Sequence, residues 1–255
     1  MLQFAFLGSG SRGNALLVEG RRSRLLLDCG FSVREITARL ACLDLSPSDL
    51  DAILLTHEHG DHASGVPRLA RKHALPVFAS YGTRMAVADE DGVDWRRITP
   101  EHVFELDDIA VAPVAVPHDA REPVQFVFEA GSARLGVLTD IGHITPHVVA
   151  RYAGCHALVL ETNHDPTMLA EGPYPPALKR RVGGQFGHLS NEQAGELLTR
   201  TDTARLDSLV AAHISEQNNT RELAQGALAR AFGCNASEIE VAAQGEVGER
   251  RSVSA

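Results

Sequence analysis

Five short apolar runs in this chain of 255 residues all end in groups that bind metals or move protons. Ile53-Leu54-Leu55 runs into Thr56-His57-Glu58-His59-Gly60-Asp61-His62, and Ile109 to Val116 into Pro117-His118-Asp119. Leu135 to Thr139 leads to Asp140, Ala157 to Leu160 to Glu161-Thr162-Asn163-His164-Asp165, and Leu209 to Ala212 to His213-Ile214-Ser215. A short, continuous, bounded apolar run reads as a buried strand. Polar groups at the carboxyl ends of such strands form the sites of α/β folds, so the chain must bring these five ends to one rim. The first cluster is the densest, with three imidazoles and two carboxylates in seven residues. Groups so crowded repel one another unless a cation organises them, and imidazole nitrogen with carboxylate oxygen is what a borderline divalent metal takes. A solvated His-rich turn is the bland alternative.

The remaining constraints are coarse. The length suits one domain, 1–255, with a full core. No run of about 18 apolar residues appears, and the first twenty residues lack a signal-peptide pattern, so a cytoplasmic protein outside the membrane is expected. Cys29, Cys42, Cys155 and Cys234 have no CxxC spacing and read as reduced thiols. The net charge, 24 minus 33 or −9, argues against broad nonspecific nucleic-acid binding while leaving room for a local basic channel.

In chain order, Leu2 to Leu7 and Ala15 to Glu19 are strand-like and flank Gly8-Ser9-Gly10-Ser11-Arg12-Gly13-Asn14. That loop reads as a hairpin turn or as a phosphate cradle, although it lacks the lysine of a P-loop. Leu25-Leu26-Leu27 ends in Asp28, either a carboxylate that orients a ligand imidazole or a helix-starting residue. Helices are expected at Ser32 to Leu43, Val66 to Arg71, Thr83 to Ala88 and Glu192 to Thr199, the last capped by Ser190 with Gln193 at the capping-box position. Trp95 to Ile98 and Val103 to Leu106 read as edge strand and turn. Lys179-Arg180-Arg181, in a stretch rich in Pro and Gly, reads as a solvated face or as a basic loop that grips a phosphate backbone. The tail from Gly245 to Ala255 is expected to fray.

His57-x-His59-x-Asp61-His62, followed by His118, Asp140 and His213, resembles the metallo-β-lactamase superfamily of dinuclear metallohydrolases. The resemblance spans essentially the whole chain and implies a four-layer αβ/βα sandwich, two mixed sheets face to face with helices outside. It further implies that His57, His59 and His118 hold one metal, Asp61, His62 and His213 the other, and that Asp140 bridges them. Ser9 to Asn14, Glu161 to Asp165, Gly187-His188-Leu189-Ser190-Asn191 and His213 to Asn219 are similar to the compact WalJ/YycJ-type nuclease branch. That similarity implies a 5′-to-3′ DNA exonuclease acting on single strands or duplex ends, with no protein partner evident.

Two metals about 3.5–4 Å apart clamp both oxygens of an in-line phosphoryl displacement and lower the pKa of a bridging water to make the nucleophile. Asp61 is expected to orient that hydroxide. All seven candidate ligands offer nitrogen or oxygen, compatible with zinc or manganese. His188, with His164 behind it, is the candidate phosphate ligand or leaving-group acid. Ser9, Ser11, Asn14, Asn163, Lys179, Arg180, Arg181, Ser215 and Asn218 are candidate substrate contacts. A small-molecule cyclic phosphodiesterase of the same fold is the nearest rival. A non-catalytic metal-binding scaffold is the rival from another class, and the open coordination positions of such a ligand set speak against it.

Overall fold

The computed structural model describes residues 1–88 and 92–254. Strands β1 (Leu2–Gly8), β2 (Ala15–Glu19), β3 (Arg24–Leu27), β4 (Ala52–Leu54), β5 (Val77–Ala79) and β6 (Trp95–Arg97) belong to a first sheet. A second sheet holds β7 (Phe104–Leu106), β8 (Ile109–Ala115), β9 (Val124–Ala130), β10 (Ala133–Leu138), β11 (Ala157–Glu161), β12 (Ser208–Ala212) and β13 (Glu240–Val241). The final strand, β14 (Arg251–Val253), returns to the first sheet, whose order is β14-β1-β2-β3-β4-β5-β6; the second runs β13-β12-β11-β10-β9-β8-β7.

Each sheet is mixed in the same way. β3 to β6 are parallel, as are β10 to β13, while the hairpin-linked strands at the other end of each sheet are antiparallel. Side chains alternate along a strand, so each strand feeds two cores. Phe4 and Phe6 of β1 and Phe126 and Phe128 of β9 meet between the sheets. Ala5 and Leu7 face outward onto α1 (Val33–Ala41) and, beyond α2 (Gly60–Ala63), α3 (Val66–His73). After α4 (Tyr81–Ala86), the second sheet's outer face is covered by α5 (Pro146–Tyr152) and, past α6 (Pro166–Glu171) and α7 (Pro176–Val182), by α8 (Asn191–Arg200) and α9 (Arg221–Phe232). Three apolar layers between four layers of backbone make the αβ/βα sandwich that the sequence resemblance implied. The parallel strands are apolar on both faces because both faces are covered.

Several local expectations change. Lys179-Arg180-Arg181 lies in helix α7, not in a loop: Pro176 sits at the first helical position, where its fixed φ favours a helix, and Gly183 caps the end. The tail does not fray at 251–253, because β14 pairs antiparallel with β1 and closes that sheet edge. Strand β9, α5 and α9 occupy stretches to which no element was assigned, although β9 alternates plainly, with Val124, Phe126 and Phe128 all inward. α4 starts at Tyr81, two residues before the expected Thr83, because Ser80 accepts from the Thr83 amide and caps it. No helix among the described residues is long and apolar enough to cross a membrane.

Candidate metal centre

The five strand ends do converge, joined by the end of β3. Asp28 follows β3, the His57–His62 cluster follows β4 and opens α2, His118 follows β8, Asp140 follows β10, Glu161 closes β11 and His213 follows β12. Three of these residues break their strands abruptly: Asp28, Asp140 and His213 have φ of 60°, 51° and 53°. Left-handed backbone is uncommon for a residue with a Cβ and clusters where a surrounding fold enforces it for function.

The imidazoles follow one rule: one ring nitrogen is tied outward and the other turns to the centre, where His62 Nε2 also meets Asn14 Nδ2 at 3.0 Å. His57 Nδ1 meets Thr56 Oγ1 at 2.9 Å, His62 Nδ1 meets Asp28 Oδ2 at 2.7 Å, and His118 Nδ1 meets the Gly187 carbonyl at 3.0 Å. His213 Nδ1 meets Glu161 Oε1 at 3.1 Å, and His59 Nε2 meets the Asp119 carbonyl at 3.2 Å. Ligand histidines are held this way, since the outer partner fixes tautomer and ring orientation. Turned inward, His118 Nε2 lies 3.3 Å from His59 Nδ1, and His62 Nε2 lies 3.4 Å from both Asp61 Oδ2 and Asp140 Oδ2. His213 Nε2 is 3.6 Å from Asp61 Oδ2, and Asp140 Oδ1 is 3.6 Å from His213 Nδ1 and 4.0 Å from His118 Nε2.

Two triads result, His57-His59-His118 and Asp61-His62-His213, each with ligand atoms close enough to share one ion, and Asp140 stands between them. The fit to divalent cations rests on unpaired atoms: His57 Nε2, Asp140 Oδ2 and His213 Nε2 are buried without a hydrogen-bond partner. Orphaned polar atoms at this depth are costly, and a cation at each triad would satisfy them.

Electrostatics tell the same story. Burial, helped by the neighbouring imidazoles of His62, His118 and His59, pushes the His57 pKa well below normal. For His62 burial also opposes charge, but Asp140 and Asp28 outweigh it and raise the pKa well above normal. For His213, burial is overcome by Asp140, Asp61 and Glu161, which lift it to about 10. Asp140 is held well below the carboxylate range, since His213 and His62 outweigh its burial. The ionised carboxylates thus keep protons on the His62 and His213 imidazoles where cations would sit, and metal binding must release them.

The other sequence candidates divide. A cleft of about 390 Å³ above the triads is lined by Ser11, Asn163, Arg181, Ser215 and His188, together with Asp61, Asp140 and His213. His188 donates its position to the cleft while Nδ1 meets Glu161 Oε1 at 2.8 Å; it precedes the α8 cap Ser190 and is not part of the helix. Ser9 is buried and its Oγ accepts from the His213 amide at 2.9 Å. Asn14 is buried too, accepting from the Gly10 amide and reaching Asp61 Oδ2 at 3.3 Å, so it braces a centre residue from behind. Asn218 is fully buried and holds Ser215. Lys179 Nζ is spent on the Ala170 carbonyl and Arg180 is exposed away from the cleft lining, as α7 turns only one of the three cations inward. His164 is 3% exposed and lies beneath the cleft instead of lining it, its pKa lowered by burial to about 4.

One residue that the sequence names only within the strand-end stretch Glu161 to Asp165, with no role of its own, is Glu161. Fully buried, it accepts from His188 and His213 through Oε1 and from the amides of Ile141 and Leu189 through Oε2. A carboxylate as the last residue of a wholly apolar strand was the available signal.

A β-lactamase superfamily domain model matches residues 23–214. Exodeoxyribonuclease WalJ of Streptococcus pneumoniae serotype 2 (strain D39 / NCTC 7466) is 35% identical over 228 residues, 87% of this chain and 85% of that protein. Exodeoxyribonuclease YycJ of Bacillus anthracis is 37% identical over 228 residues, 88% and 86% of the two chains. The metallo-β-lactamase fold protein YhfI from Bacillus subtilis superposes with a TM-score of 0.75 over 98% of this chain and 100% of that one, at 17% identity, a likeness of fold. With its signature residues converging on one rim of a two-sheet sandwich, this chain belongs to the β-lactamase superfamily and, within it, to the family of the WalJ and YycJ proteins.

Proposed function

We propose that the chain, as one domain over 1–255, is a dinuclear metal-dependent phosphodiester hydrolase that degrades DNA from the 5′ end. The observation that carries the reading is Asp140, buried between two triads and within 4.0 Å of imidazoles from each. His57, His59 and His118 would hold one divalent ion and Asp61, His62 and His213 the other, with Asp140 touching both. Nitrogen and oxygen donors without thiolate suit zinc and manganese alike. When bound, such ions supply Lewis acidity and an activated water.

This chain's own groups do the rest. Asp61 Oδ2, facing His62 and His213 from the cleft side, orients the attacking water. His188, its Nδ1 anchored on Glu161, turns Nε2 to the phosphate and serves the leaving oxygen. Arg181 offers positive charge to the non-bridging oxygens. Asp28 fixes His62 from outside. The exonuclease activity carried in the names of the WalJ and YycJ relatives supports DNA as the substrate. Four free thiols suit the cytoplasm.

The test is digestion of a 5′-phosphorylated single strand with manganese or zinc, beside bis-p-nitrophenyl phosphate. Wild type should shorten the strand stepwise from its 5′ end, and Asp61→Ala should slow it by about 10²–10⁴-fold. Turnover of the small diester alone would assign the chain to small phosphodiesters instead.

A further inference from the structure

Asp119, the residue after His118, touches both the first triad and the basic helix beside it. Its main chain is held on both sides: the amide donates to the Phe186 carbonyl at 2.9 Å, and the carbonyl meets His59 Nε2 at 3.2 Å. Its carboxylate then stands between two destinations. Oδ2 accepts from Arg181 Nε of α7 at 2.5 Å. Oδ1 lies 3.5 Å from His118 Nε2, the nitrogen turned to the centre, and 3.7 Å from His59 Nε2. Arg181 and His118 outweigh partial burial and hold the Asp119 carboxyl below the usual range, so it is an anion. It stands beside the triad, not in it, since the mutually close ligand atoms come from His57, His59 and His118.

An ion pair between exposed groups contributes little, and 58% of the Arg181 side chain is exposed. What sets this pair apart is the imidazole at its other end. The His118 side chain is 1% exposed, and a charge facing it is screened far less than one on the surface. A carboxylate cannot act fully on a cation at the first triad while it neutralises a guanidinium. That guanidinium in turn lines the cleft, where a phosphate competes for it. Resting on the dinuclear phosphodiesterase reading above, we infer that Asp119 is a positioning residue shared by Arg181 and the first metal triad. A phosphate that draws Arg181 to itself leaves the Asp119 charge to the metal, and a metal that draws Asp119 frees Arg181 for phosphate. By linkage, each tightens the binding of the other.

The experiment titrates the metal-free chain with zinc by calorimetry, as wild type, Arg181→Ala, Asp119→Asn and the double variant. Asp119→Asn should weaken one of the two ions about tenfold, as loss of an outer carboxylate does. Arg181→Ala should tighten that same ion about fivefold, and should do nothing once Asp119 is Asn. His59→Gln, which breaks the first triad, should abolish the ion that shifts. At saturating zinc, with bis-p-nitrophenyl phosphate as substrate, Asp119→Asn should raise KM more than it lowers kcat, and Asp119→Glu should restore part of the loss. An Arg181→Ala effect that is absent, or equally large without the Asp119 carboxylate, overturns the inference. The second of these outcomes would route the effect through Asp61, the other carboxylate whose charge Arg181 feels. Wild type that binds fewer than two ions overturns the dinuclear reading and this inference with it. Two ions bound with no shift sinks the role of Asp119 alone.

Discussion

Asp28 and Glu161 are buried carboxylates in corresponding places, one just beyond β3 in the first sheet, the other at the end of β11 in the second. Both tie down imidazoles of the centre, yet their charge states are pushed in opposite directions. Asp28 meets one imidazole, His62, and otherwise the hydroxyl and amide of Thr56. Its burial outweighs these and its pKa is raised. Glu161 is buried just as deeply but meets two imidazoles, His188 and His213, and two backbone amides, and despite burial its pKa falls to about 2. Depth does not decide the charge of a buried carboxylate; the number of cationic and N–H partners does. Glu161 is therefore a fixed anion shared by two functional groups, and Asp28 a local brace for one.

The largest consequence concerns Glu161→Gln. Losing an outer partner of a ligand histidine costs about 10–100-fold, and Glu161 serves two imidazoles, so phosphodiester hydrolysis should fall on the order of a thousandfold. Metal titration by calorimetry beside the rate assay separates the His213 share, which weakens metal binding, from the His188 share, which lowers turnover. Equal losses in Glu161→Gln and Asp28→Asn would dissolve the comparison.

His164 sharpens it from another side. It is as buried as His213 but has no carboxylate hydrogen-bonded to it, and burial lowers its pKa to about 4 where His213 rises to about 10. The unfolded chain takes up this proton near the ordinary pKa of about 6.5, before the folded chain does. Stability from this group is therefore full above pH 6.5, lost as pH falls from 6.5 to 4, and flat below. A difference of about 2.5 pH units corresponds to about 3 kcal/mol. Urea unfolding of metal-free protein at pH 7 and pH 4 should show His164→Gln losing about that much less than wild type. A pH slope identical in both proteins would remove the contrast.

The smallest effect belongs to Asp28→Asn. The amide can still accept from Thr56, and only His62 loses its anion, so metal affinity should drop about 10–100-fold with the His188-dependent part of turnover spared. A loss of turnover at saturating metal would show that Asp28 reaches further than His62.

The same asymmetry governs what could be read beforehand. The first-sheet half of the centre is contiguous, His57 to His62 on one turn, and its spacing announces it. The second-sheet half is scattered: Glu161 meets His188 across 27 residues and His213 across 52. His118, Asp140 and His213 were legible because each follows an apolar strand and because the family pattern names them. Glu161 was legible only as one more polar strand end; its role was not, because the imidazoles it holds come beside it only in the fold. The basic run was misjudged for a related reason. Pro and Gly around Lys179 to Arg181 suggest a loop, yet Pro at the start and Gly past the end are also helix boundaries, and only the docked α7 shows which cation faces the cleft.

By itself, then, the sequence determined the alternation of buried strands with helices, the rim at which the strand ends meet, and the identity of the ligand types, since all of these follow from local apolar periodicity and side-chain chemistry. Which imidazole nitrogen faces inward, which carboxylate is charged, and which of Ser9, Asn14, Lys179, Arg180 and Asn218 are turned from the cleft were decided by tertiary structure alone. Orientation and charge depend on partners that are neighbours in space and strangers in sequence.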